Sequence, residues 1–166
     1  IESYMVTGFM AAACQALRRN PASPVAKLTN FKSRIRGNVF VEPYEIPILW
    51  PDMADKEQRK LREQAFVHPD PQVEEIDGQP DMRNIYRSLR ADTAQGPRIA
   101  VPCSEAVAPG CTLNFTLRVL DPALTEDILI TIFKYGEFSG LGQWRNAANG
   151  TFYADVTPIS GSNAKA

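Results

Sequence analysis

The sequence predicts an α+β domain: an antiparallel sheet with two helices on one face and a long insertion. Three observations lead there. A helix-period apolar run opens the chain, two-residue alternation appears at 35–41 and 111–119, and an apolar helical run at 124–138 passes through a glycine-rich loop into a last alternating segment at 151–156. The chain has 166 residues, 44% of them hydrophobic, enough for one domain whose core needs no metal or disulfide staple.

Residues 4–19 read as the first helix, because Met5, Phe9, Ala12, Ala13, Ala16 and Leu17 fall near helical spacing and Pro21 and Pro24 end the run. Its opening, Met5 to Cys14, is small and apolar like a leader. Glu2 precedes it, however, and Arg18 and Arg19 follow, the reverse of a secretory signal and the order that suits the negative end of a helix dipole. A connector follows with four basic residues and no acid from Lys27 to Arg36, leading into an expected strand over Ile35 to Val41. Alternation there assigns Ile35, Gly37, Val39 and Val41 to one face and Arg36, Asn38 and Phe40 to the other.

Residues 43–97 hold seven prolines and charges of both signs. Apart from a short charged helix expected over 52–66 they lack a persistent period, and they read as an insertion. Strand character returns at 98–102 and 111–119 around the turn Ala108-Pro109-Gly110, with Leu113, Phe115, Leu117 and Val119 alternating with Asn114, Thr116 and Arg118. Asp121-Pro122 stops that strand. Thr125 is placed to cap the second helix, Glu126 and Asp127 suit its first turn, and Ile128, Leu129, Ile130, Ile132, Phe133 and Tyr135 make it apolar on most sides. The reading is a single domain over 1–159, with its insertion at about 43–97 and a disordered polar tail at 160–166.

Composition removes several function classes. With 18 basic and 19 acidic residues the chain has no general cationic coat, so binding to nucleic acid must be focused on one surface. One histidine, His68, and three cysteines, Cys14, Cys103 and Cys111, without C-x-x-C spacing, make a metal centre unexpected. A reducing, cytoplasmic setting is the simplest reading of the odd cysteine count, with a Cys103–Cys111 bridge as the alternative. No run approaches the roughly 20 apolar residues of a membrane span. His68 lies in a proline-flanked loop without a neighbouring nucleophile, and Glu74-Glu75-x-Asp77 reads as a solvated acidic run. No phosphate-loop lysine motif is present, so neither catalysis nor a cofactor is expected.

The order helix, strand, strand pair, strand, helix, glycine-rich loop, strand is five-sixths of a ferredoxin-like, or RRM-like, βαββαβ domain. With Gly140, Gly142, Arg145 and Gly150 standing between the apolar helix and Phe152, and Ala16-Leu17-Arg18-Arg19 ending the first helix, the chain resembles the RAMP superfamily, the repeat-associated RNA-binding proteins of CRISPR systems and their phage or mobile-element relatives. It departs from that family's loop at Trp144 and at Ala147-Ala148-Asn149, and residues 43–97 have no counterpart. The resemblance implies that the loop, with Gly140, Gly142, Trp144, Arg145 and Asn146, lies against RNA.

On such a sheet Arg36, Asn38, Phe40, Asn114, Thr116, Arg118 and Tyr153 would share the face opposite the aliphatic positions, with Lys32 and Arg34 beside them. Rings interleaved with cations suit single-stranded RNA or DNA, because rings stack on bases and cations neutralise phosphates. Each residue also has a plainer reading. Phe40 and Tyr153 can be covered by the insertion, Trp144 can pack on the helix, the glycines can serve a turn, and Lys32, Arg34 and Arg36 can be a solvated edge. The expected function is therefore non-catalytic single-stranded nucleic-acid binding. The alternatives are an assembly subunit, forming a homo-oligomer or contacting other chains of a complex, and an RNA endonuclease.

Overall fold

The computed structural model describes residues 1–50, 56–57, 60, 73–76, 78–86, 88–143 and 149–159. The protein is mixed α+β, with helices and small antiparallel sheets of two or three strands. The chain divides into two compact units, one made of Ile1–Pro47 with Asn114–Ala166, the other of Ile48–Leu113. The expected helix over 52–66 falls largely outside the described residues, and the tail 160–166 does so entirely.

The first unit opens with helix α1, Ser3–Leu17, whose inward side is Val6, Phe9, Met10, Ala13 and Cys14. A short 3-10 turn, Pro24–Lys27, follows, started by the Ser23 hydroxyl oxygen accepting from the Val25 N–H at 3.2 Å. Helix α2, Phe31–Asn38, comes next, and strand β1, Val39–Glu42, follows without a break. Here the structure corrects the sequence reading, which made Ile35–Val41 one strand. Residues four apart satisfy a two-residue and a helical period alike, so Ile35 and Val39 could not decide between them. Phe31 decides. It is buried one turn before Ile35, and the Arg18 guanidinium lies 5.3 Å from its ring centroid. The carbonyl of Arg34 then accepts the Asn38 side-chain amide at 3.2 Å, satisfying the last turn. Gly37, expected inward, is exposed.

β1 pairs antiparallel with β9, Thr116–Val119, in the register Val39 with Val119, Phe40 with Arg118, Val41 with Leu117 and Glu42 with Thr116. Residues 1–3 lie antiparallel to 44–46, with Ser3 N–H donating to Tyr44 O at 2.8 Å and Ile46 N–H to Ile1 O at 2.7 Å. Helix α3, Glu126–Lys134, continues into a 3-10 turn over Tyr135–Glu137. Its two acids, Glu126 and Asp127, stand in the first turn as expected, and Lys134 in the last turn complements the other end of the dipole. Thr125 holds the N-cap position in an extended conformation, although its side chain makes no cap bond.

An aromatic cluster joins the helices. Phe9 of α1 stands 6.0 Å from Phe133 of α3 and 5.1 Å from Phe152, edge to face, while Phe115 lies 6.1 Å from Phe133. Phe152 reaches this position because Gly136 has no side chain: a Cβ there would run into the Phe152 ring, and the Phe152 N–H donates to Gly136 O at 3.0 Å.

The second unit is built of strands: β2 (Ile48–Leu49), β3 (Val73–Ile76), β4 (Gln79–Tyr86), β5 (Leu89–Thr93), β6 (Gly96–Ala100), β7 (Cys103–Val107) and β8 (Thr112–Leu113). They pair as β2 with β8, β3-β4-β7 and β5 with β6. The expected strand over 98–102 lies mostly in β6, paired with β5, while the one over 111–119 is split into β8, paired with β2, and β9, paired with β1; the Ala108-Pro109-Gly110 turn does not join two paired strands. Cys103 and Cys111 are thiols, and their neighbourhoods pair elsewhere, β7 with β4 and β8 with β2.

Candidate nucleic-acid interface

The outward side of the β1–β9 ribbon is set by alternation. Val39 and Val41 are buried, Leu117 and Val119 are half-buried, and Phe40, Glu42, Thr116 and Arg118 face out. Phe40 keeps 48% of its surface exposed and stands in register opposite Arg118. A ring and a guanidinium therefore meet on one open face, as the sequence predicted for this pair. Arg118 also lies 3.5 Å from the Glu42 carboxylate, with both side chains well exposed. An exposed pair of this kind contributes little to stability. Asn114 is exposed too, and Leu120, which sequence reasoning passed over, adds a 62% exposed aliphatic side chain just beyond Arg118.

Arg36 and Asn38 were expected on this sheet face and are not there. Both belong to α2, where Lys32 and Arg36, one turn apart, are exposed and Asn38 is turned to the helix end. Arg34 is committed to structure. Its Nη1 donates to Asp121 Oδ2 at 2.6 Å and its Nε to Thr29 O at 2.9 Å. Asp121 in turn accepts the Ala123 N–H on Oδ1 at 2.9 Å, and these two bonds hold its carboxyl below the usual value of 3.8. In the sequence Asp121 reads only as a strand stop. Its signal was the Asx-turn spacing to Ala123, but no local pattern names a partner 87 residues away.

The glycine-rich loop is pinched at its neck. Leu141 N–H donates to Gly150 O at 2.9 Å, a Cβ on Gly140 would overlap the Asn149 and Gly150 backbone, and one on Gly150, with φ +67°, would overlap Leu141 O. Gly142 has φ +93° with open space around it apart from the Met5 methyl at 3.8 Å. Backbone approach thus accounts for Gly140 and Gly150, and left-handed geometry for Gly142, before any ligand is considered. Trp144, Arg145 and Asn146 lie outside the described residues, as do His68 and Asp77.

Past the loop, residues 151–156 alternate outward and half-buried as expected, but they pair with no strand among the described residues. Tyr153 is 89% exposed. Among the described residues no three His, Cys, Asp or Glu side chains gather as metal ligands, and no helix is long and apolar enough to cross a membrane. Compared with family models, with curated proteins and with solved structures, the chain matches none.

Proposed function

We propose that this protein binds single-stranded nucleic acid without cleaving it, through the outward face of the β1–β9 ribbon and the loop that follows α3. The observation that carries the reading is the register pair Phe40 and Arg118, an exposed ring beside an exposed guanidinium. A base stacks on such a ring whatever its identity, and the cation answers the adjoining phosphate. The order α1, β1, β9, α3 and an extended segment at 151–156 supports a ferredoxin-like frame of the RAMP type, in which β1 and β9 would be the central hairpin and the second unit its insertion. The exposed Tyr153, with Arg145 in the loop, supplies a further ring and a further cation of the proposed surface.

Fluorescence anisotropy with labelled single-stranded RNA and DNA tests the proposal. Phe40→Ala weakens binding by about 1–3 kcal/mol, the worth of one stacked base, and leaves the salt dependence unchanged. Arg118→Ala and Arg145→Ala weaken binding and flatten the salt dependence. Absence of binding at low salt would overturn the reading. A concentration-dependent oligomer insensitive to these variants would instead favour an assembly subunit.

A further inference from the structure

We infer that the positive flank made by the end of α1, the 3-10 turn and α2 is the track for the phosphodiester backbone of the bound strand, and that Arg18, Arg19 and Lys27 belong to it. This rests on the reading above and extends its surface to residues that neither the ribbon nor the loop contains. From Ser3 to Val41 the chain carries six basic residues (Arg18, Arg19, Lys27, Lys32, Arg34 and Arg36) and no acidic one, within a protein of net charge −1. Among the described residues, Arg34 is the one of the six paired with a carboxylate, that of Asp121. The other five are exposed, and none is paired with a carboxylate among the described residues.

Folding brings Arg18 of α1 against α2. The Arg18 guanidinium sits 5.3 Å from the ring centroid of Phe31, the residue before Lys32. Lys27 closes the 3-10 turn that links α1 to α2, and both helices pack together. Lys32 and Arg36 stand one turn apart on the outward side of α2. That helix runs straight into β1, and Phe40, exposed and opposite Arg118, follows four residues after Arg36. Cations on three successive elements that end at a stacking face suit a charged polymer with bases along it.

A lipid surface fits less well. Between Tyr4 and Phe40 no large hydrophobic side chain is exposed, so the flank has nothing to insert among acyl chains. An acidic protein would use the cations but leave the adjoining ring face without a role.

The test is a salt titration of oligothymidine binding by anisotropy. Glutamine replaces Arg18, Arg19 and Lys27 together, keeping an aliphatic stem over Phe31, and an Arg19→Gln/Lys27→Gln double variant leaves Phe31 untouched if the triple variant unfolds. Each lost phosphate contact lowers the slope of log K against log salt by about 0.7, so the triple variant falls by about 2 and the double by about 1.4. Phe40→Ala weakens binding at unchanged slope. Should the wild-type chain bind with Phe40 required while both glutamine variants keep its slope, the track is overturned and the ribbon reading stands. If the wild-type chain does not bind at all, both fall. Equal binding to polyglutamate, or to vesicles of anionic phospholipid, also overturns the assignment to nucleic acid.

Discussion

Gly8 and Gly140 illustrate how one residue type answers to opposite demands. Gly8 lies inside α1 with nothing within 4 Å of the position a Cβ would take. Gly8→Ala therefore stabilises the protein by about 0.5–1 kcal/mol, through the lower entropy of the unfolded chain and better helix propensity. Gly140→Ala forces the loop neck apart and destabilises by about 1–3 kcal/mol, the usual range for overpacking. Urea unfolding of the two variants reads both signs in one experiment. Asp121 sets an acid limit. Its carboxyl is held low by the Ala123 N–H and by Arg34, so its contribution is complete above the unfolded value near 3.8 and is lost as pH falls through the lower folded value. Asp121→Asn keeps an acceptor for Ala123 but loses the charge, and the fall of stability below about pH 4 becomes shallower than in the wild-type protein. Cys14 shows burial acting the other way, since removal from water pushes its thiol up to about 11 and it serves as a small core side chain.

Among elements, the aromatic cluster holds α1, α3 and the extended segment at 151–156 together. Phe9 is 2% exposed and touches the rings of both Phe133 and Phe152. Phe9→Ala costs about 3–5 kcal/mol, as expected for a buried ring. Phe152 is half-buried, so its truncation costs less, about 2 kcal/mol, but releases the segment that carries Tyr153. Hydrogen exchange follows this directly: in Phe152→Ala the Phe152 amide, bonded to Gly136 O, exchanges faster while the amides of α1 keep their protection. Equal acceleration throughout both helices would show that the segment is integral to the core.

Across the whole molecule the core is unevenly shared. Among the described residues every buried apolar side chain except Ala108 belongs to the unit of Ile1–Pro47 and Asn114–Ala166. In Ile48–Leu113, strand β5 is exposed throughout and β7 alternates between exposed and half-buried. Small ribbons of this kind are marginal by themselves, whereas helices packed on a buried face are not. Replacing 48–113 by a short Asn-Gly turn therefore leaves a chain that unfolds cooperatively with its helical circular dichroism intact. Loss of the cooperative transition would mean that the second unit supplies part of the first unit's stability.

Local periodicity by itself determined much of this protein. The α+β class, the bodies of α1 and α3, and the outward direction of Phe40, Thr116, Arg118 and Tyr153 were legible because each depends on neighbours in the chain. At 35–38 the same cue misled, since spacings of four fit both helix and strand until Phe31 is seen to be buried. Tertiary structure alone decided which strands pair, that Arg34 is consumed by Asp121, and that Gly140 and Gly150 are required by a closed loop neck. It also brought Arg18 to Phe31, beside Lys32, from another helix. The physical reason is the same in each case. Hydrogen bonds, ion pairs and backbone approach are set by distance in space, and a chain that returns on itself after tens of residues leaves no local record of whom it will meet.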